Sequence, residues 1–335
     1  MPADRTRRRY RVGVLALCLA VPIGAAWTAE SVAARGAAKS SGVPRYSNPV
    51  YARDFPDPMV LRVSRTSYYA YGTSTSWEKG YFPILHSSDL VHWKYVSDIF
   101  KAPPAWATND LWAPDVIKSG STYYAYYTGL TGNTHCIGVA TNSKPTGPFR
   151  PRNVVACKDQ NGYGYIDPDV FIDHGGKAYL YVSVDNPSHN ISVIPLKSDL
   201  RHAAGPRKVL FGIDQPWEHG ANFSTVERPF LVREGKTYYL FFSGNDWNGN
   251  YAMGVATASS PLGPFTPYSG NPILHGTATV KGPGGGSVVE GPDNKLWMVF
   301  HAWKGPEGYS AGGIRDLNLD PIAMSGGMPQ VTVTS

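Results

Sequence analysis

No stretch of the 335-residue chain repeats its apolar residues at the spacing of an amphipathic helix or a heptad array, which excludes helical bundles and coiled coils. Long apolar runs are also missing. The one of note, VGVLALCLAVPIGAA near the start, is too short and too broken for a stable transmembrane helix. Charged residues make up only 17%, and beyond the first dozen positions Lys and Arg do not gather on any element, so the electrostatic footprint of a nucleic-acid-binding protein is absent. Cysteine is scarce, with three in the whole chain.

Glycine, proline and aromatics are plentiful, at 36 Gly, 28 Pro and 13% Phe, Trp and Tyr, a composition that suits many short strands joined by turns. Five aromatic runs share one plan: YYAYGT from Tyr68, YYAYYT from Tyr123, AYLYVS from Ala178, YYLFFS from Tyr238 and LWMVFH from Leu296, at intervals of 55, 55, 60 and 58 residues. A fixed period of this size, in units too small to bury their own apolar faces, is the mark of a repeat architecture. Turns such as SGST, HGGK, REGK and GPDN precede the runs, so each unit reads as a small antiparallel sheet. Radial packing, in which each sheet shields its neighbours' edges, makes the expected fold an all-β, five-bladed propeller forming a single domain over residues 46–335. The segments CIGVATNSKPTGPFRP and MGVATASSPLGPFTP echo each other in repeats two and four and support the assignment. Whether the Asn48 segment or the tail GGMPQVTVTS closes the ring is not legible.

Residues 1–33 read as an export signal, with Arg5, Arg7, Arg8, Arg9 and Arg11 ahead of the apolar run and a small-x-small cleavage site at Ser31-Val32-Ala33, or alternatively after Ala26. TRRRYR loosely resembles a twin-arginine signal. Residues 34–45 are small and polar, a flexible lead-in. Loss of the signal takes the formal charge from +6 to +3, so the basic balance largely belongs to the leader. The expected product is a secreted monomer with no membrane or nucleic-acid partner. Cys18 leaves with the signal, and Cys136 and Cys157 remain as an even pair in an exported protein, expected to form a disulfide, with two buried free thiols as the alternative.

Counting back eleven positions from each aromatic anchor lands on Asp57, Trp112, Asp167, Glu227 and Gly285. In a propeller, equivalent positions face one central region, so three acids should converge there. One such Asp before a Pro is well explained as a turn device. Three together raise one another's pKa, an arrangement that folds tolerate mainly where the shifts are used. Glycosidic hydrolysis needs such a set: one carboxyl kept protonated for the leaving oxygen, another ionised to activate water. A metal site is the rival use and normally wants closer ligands with His or carbonyl support.

The segments Phe55-Pro56-Asp57-Pro58, Trp112-Ala113-Pro114-Asp115, Ile166-Asp167-Pro168 and Val226-Glu227-Arg228-Pro229, with Ser88-Asp89-Leu90-Val91-His92-Trp93 and Phe300-His301-Ala302-Trp303, resemble the motif set of glycoside hydrolase family 43. The resemblance covers the chain from Asn48 onward. It implies a five-bladed propeller that inverts configuration at the anomeric carbon of arabinose-, xylose- or galactose-containing polysaccharides, arabinofuranosyl linkages first. It makes Asp57 the general base, Glu227 the general acid and Asp167 the residue that tunes and orients the acid, and places Arg315 near the sugar. No cofactor is implied. Many members carry a His at the position of Gly285, often with a calcium ion on the axis; glycine offers no imidazole, which puts that metal in doubt and leaves waters and carbonyls as the remaining ligands for a hard cation. Trp112 and Trp247 are candidate sugar-stacking residues and Asp115 a candidate sugar hydrogen-bond acceptor or turn acceptor. His301 reads as a core or supporting histidine, and His219 has no assigned role. A non-catalytic sugar-binding propeller and a retaining enzyme are the competing readings.

Overall fold

The computed structural model describes residues 42–157, 164–184 and 188–334. Residues 1–33, expected to be an export signal, lie outside the described residues, as does all of the expected lead-in but 42–45, which carries no strand. The described residues belong to one compact unit within Ser40–Ser335.

Five four-stranded antiparallel sheets follow one another along the chain, at residues 59–100, 109–156, 165–212, 226–267 and 281–331, and in each the strands neighbour one another in sequence order. These are the five blades, one per repeat. Alternating and aromatic residues give strands two packing faces, and the apolar side chains fill the gaps between blades. Tyr126 and Val139 of blade two meet Leu180 and Val182 of blade three, and Tyr181 of blade three meets Leu231 and Leu240 of blade four. The echo between repeats two and four is the third strand and following turn of each blade, Thr134–Asn142 and Ala252–Ala258.

The first strand of each blade is innermost: Met59–Ser64, Asn109–Ser119, Tyr165–Ile172, Val226–Glu234 and Lys281–Glu290. At its start the backbone turns through the left-handed region at Asp57 (φ 53°), Ala113 (47°), Asp167 (56°), Arg228 (54°) and Gly285 (60°). Four of these are not glycine and are strained by about 1–2 kcal/mol each. What holds them is a closed ring of hydrogen bonds from blade to blade. The N–H of Ala113 donates to Thr73 Oγ1 (2.7 Å), that of Asp167 to Thr128 Oγ1 (3.0 Å), that of Arg228 to Ser183 Oγ (2.9 Å), that of Gly285 to Ser243 Oγ (2.9 Å) and that of Asp57 to His301 Nδ1 (3.0 Å). The acceptors are the last letters of the five aromatic runs.

This ring corrects the gapless count of eleven. The structural equivalents of Asp57 and Asp167 are Ala113, Arg228 and Gly285; blades two and four are one residue shorter between axis and anchor. Trp112 and Glu227 sit one place earlier, at the positions that pair with Thr128 and Ser243.

The ring closes through the N-terminal segment. Val50 and Tyr51 donate to Leu317 O (2.9 and 3.3 Å), Leu317 N–H donates to Tyr51 O (3.1 Å), and Phe55 N–H donates to Arg315 O (2.6 Å), all on the third strand of blade five, Ile314–Ser325. The tail supplies that blade's own fourth strand, Met328–Val331. Cys136 and Cys157 are joined as a disulfide between the third strand of blade two and the residue after its fourth.

Candidate active site

A cavity of about 550 Å³ opens over the inner strands and is lined by Asp57, Asp167 and Glu227 together. Blades one, three and four therefore bring three carboxyls to one space, although Glu227 arrives from the neighbouring position rather than the equivalent one. Trp112, Trp247 and Arg315 line the same cavity.

Asp57 is held from two sides. Its Oδ2 accepts from the Thr73 hydroxyl (2.5 Å), and Arg315 Nη1 lies 3.6 Å from Oδ1, the two side chains being 15% and 12% exposed. Burial pushes its carboxyl up, but the guanidiniums of Arg315 and Arg228 and the Thr73 bond outweigh this and hold it below the usual carboxylate range. His301 Nδ1 is 3.5 Å from Asp57 Oδ1, yet no ion pair forms. That nitrogen accepts the Asp57 N–H, and burial, with Arg315 beside it, pushes the imidazole down to about 3, so the ring is neutral at any working pH. His301 thus keeps the supporting part expected of it.

Asp167 is buried and raised to about 6, first by desolvation and then by the nearby Asp57 charge, against the pull of Arg228. Its Oδ2 accepts from Ser183 Oγ and Arg228 N–H, both at 3.0 Å. Glu227 Oε1 accepts from the Tyr251 hydroxyl (2.7 Å), and Thr225 Oγ1 stands 3.5 Å from Oε2. Asp57, in a cationic setting, is suited to stay ionised, while Asp167 is poised to share charge with its neighbours.

The cavity wall is aromatic. Trp112 is 36% exposed, lines the cavity and packs against His135 with ring centroids 4.9 Å apart and the planes tilted by 35°. Arg315 sits among three rings, 5.4 Å from Trp247, 5.7 Å from Trp303 and 5.2 Å from Tyr309, so its guanidinium is fixed in direction as well as charge. Asp115 does not reach the cavity. It is 1% exposed and accepts the Val170 N–H of blade three (2.9 Å), a link repeated by Asp169 with Leu231 (3.0 Å) and Ser287 with Val60 (3.2 Å). Its acceptor function is structural, between blades. His219 is exposed, in the loop before blade four.

Sequence reasoning passed over Thr73, Tyr251, His135 and Arg228. Thr73 had a visible signal, as the terminal residue of a repeated run. Arg228 lay inside the segment Val226-Glu227-Arg228-Pro229; Tyr251 and His135 have no such signal, because only the fold brings them to the cavity wall.

The model of glycosyl hydrolases family 43 matches residues 46–329. The chain belongs to this family. It is 27% identical to an extracellular endo-alpha-(1->5)-L-arabinanase 1 of Bacillus subtilis (strain 168), over 82% of this chain and 86% of that one. It is 25% identical to the extracellular exo-alpha-(1->5)-L-arabinofuranosidase ArbA of Cellvibrio japonicus (strain Ueda107), over 83% and 86%. The crystal structure of a thermostable family-43 glycoside hydrolase superposes with a TM-score of 0.77 at 31% identity, covering 87% of this chain and 97% of that chain. As a family 43 member the protein is a glycoside hydrolase whose substrate is a polysaccharide or oligosaccharide.

The histidine that the family resemblance associates with an axial calcium has no counterpart at Gly285. A Cβ built on Gly285 would lie 2.6 Å from His301 Nδ1 and 2.8 Å from Asp57 Oδ1, leaving no room for a ligating side chain. Among the described residues no group of three or more His, Cys, Asp or Glu side chains is disposed to hold a metal ion.

Proposed function

We propose that this family 43 enzyme removes α-L-arabinofuranosyl units from plant cell-wall polysaccharides outside the cell, with inversion. The observation that carries the reading is the convergence of Asp57, Asp167 and Glu227 on one aromatic-walled cavity. Asp57, held ionised by Arg315, is the general base that takes a proton from water as its oxygen attacks the anomeric carbon. Glu227, oriented by Tyr251, is the general acid that protonates the departing oxygen. Asp167, close enough to Asp57 to be raised by its charge, is the residue that tunes and orients the acid. Trp112 and Trp247 offer flat faces to the C–H side of a sugar. The arabinose preference is supported by the names of two relatives, and extracellular action by the same names.

Turnover of aryl α-L-arabinofuranosides, β-xylosides and galactosides, followed by proton NMR of the first product anomer, tests this. Arabinofuranoside should be favoured by about tenfold or more in kcat/KM, a margin of the size that a sugar-shaped pocket supplies, with the β-anomer formed first. A preference for xyloside, or an initial α-product, would overturn the reading. Asp57→Ala should abolish turnover of every substrate, whereas Glu227→Ala should retain much of the rate where the aryl leaving group departs unaided. Equal responses of the two variants to leaving-group quality would reverse the assignment of roles.

A further inference from the structure

Arg228 is among the largest fully buried side chains of the protein, 1% exposed, and sits at the axial position of blade four, next to the acid Glu227. Its Nη2 donates to the main-chain oxygens of Asp57 in blade one (3.1 Å) and Pro114 in blade two (3.4 Å), while its own N–H donates to Asp167 and Ser183 of blade three. One residue therefore ties four blades together. Nε and Nη1 have no hydrogen-bond partner among the described residues, and no carboxylate oxygen of those residues lies within ion-pair distance. A guanidinium buried without a direct counter-ion costs several kcal/mol. Here the guanidinium lies among four buried carboxyls, Asp57, Asp115, Asp167 and Asp169, on each of which its charge acts, and of these Asp57 is the one held ionised. A cation drawing on main-chain oxygens and surrounding acids at the centre of the ring is the electrostatic equivalent of an axial metal ion. The glycine at 285, with no space for a ligand, is the counterpart of that substitution.

We propose that the Arg228 guanidinium is the resident cation of the propeller axis, a positioning residue that holds Asp57 and the blade starts in place so that the enzyme works without a bound metal. The part concerning Asp57 rests on its reading as the base. The groups facing Asp57 are Arg228 from blade four, Arg315, neutral His301 and Tyr309 from blade five, Thr73 from blade one, Asp167 from blade three, Tyr251 from blade four and Asp54 on its own segment. Of the two cations in that set, Arg228 alone is at the axis.

The test begins with the whole enzyme after exhaustive dialysis against EDTA. Elemental analysis should find no stoichiometric divalent metal, calorimetry no heat on adding calcium chloride, and kcat/KM should be unchanged. Stoichiometric calcium, or activity lost to the chelator and restored by calcium, overturns the proposal. In Arg228→Ala, kcat should fall about tenfold to a hundredfold and the acidic limb of kcat/KM should move up by about one pH unit as Asp57 loses a cation. Arg228→Lys should keep the limb in place, and millimolar guanidinium chloride should restore part of the alanine variant's rate. A folded alanine variant whose limb and rate match the parent overturns the proposal; a merely structural arginine would lower the active fraction and leave the limb still. If the alanine variant does not fold, the metal measurements and the lysine limb decide. The metal measurements need no turnover, so they stand apart from the assignment of the base, which Asp57→Ala tests by itself.

Discussion

Thr73 uses one hydroxyl twice: it donates to Asp57 Oδ2 and accepts the Ala113 N–H. The first bond favours the charged form of the carboxyl, and the second locks blade two against blade one. Thr73→Val removes both without changing the shape. The acidic limb of kcat/KM should rise by about half a unit to one unit, because Asp57 loses a donor to its ionised form. Unfolding should become easier by about 1–3 kcal/mol, because a buried N–H is left unpaired. pH-rate profiles and urea titration check the two halves, and an unmoved limb would show that the arginines alone keep Asp57 ionised. Asp57 and Asp167 were legible as candidate acids because each precedes a proline at a recurring distance. Tyr251 was not, since it lies just ahead of the third strand of blade four, Ala252–Ala258, and meets Glu227 of the first strand only through the fold.

At the scale of the strand, the acids between blades carry a pH dependence. Asp115 is raised from 3.8 to about 7, chiefly by desolvation, with Val170 N–H and Arg228 pulling the other way. A carboxyl that binds its proton more tightly folded than unfolded stabilises fully below the unfolded value and loses that contribution as pH rises through the folded one. Between pH 4 and pH 7, then, Asp115 makes the fold less stable as pH increases. Asp115→Asn retains an acceptor for Val170 and does not titrate. Calorimetric melting of parent and variant from pH 4 to pH 8 should show the variant gaining on the parent across that interval; parallel curves would mean the carboxyl stays ionised throughout. Ser243→Ala deletes one link of the axial ring, leaving Gly285 N–H unpaired at a cost of about 1–3 kcal/mol, measurable as a lower denaturation midpoint. The strands themselves were readable from aromatic alternation and turn residues. The one-residue shortening of blades two and four was not, because a bulge at the start of a strand changes the count without changing the pattern.

For the molecule as a whole, closure is the weak point of any ring, and here it depends on Asn48. Its amide accepts from Leu319 N–H (2.9 Å) and donates to Leu319 O (3.1 Å) and Thr334 O (3.1 Å), binding the start of the chain to blade five and to the tail. Asn48→Ala should lower the unfolding free energy by about 1–3 kcal/mol and leave KM unchanged, since Asn48 is not among the residues lining the cavity. Thermal denaturation beside steady-state kinetics separates the two. A raised KM would mean that closure strain reaches the sugar site through Phe55 and Arg315.

What the sequence by itself determined was everything local or periodic: β-structure, five units, the acids before prolines, the even pair of cysteines. These follow from the period of side-chain alternation and from turn chemistry, which act within a few residues. What only the tertiary structure decided was which atoms share the axis. That the ring is sealed by Asn48 and Tyr51, that Asp115 faces a neighbouring strand instead of the cavity, and that a guanidinium fills the centre all depend on residues far apart in the chain brought within a few ångströms, where burial and charge act through space and not along the backbone.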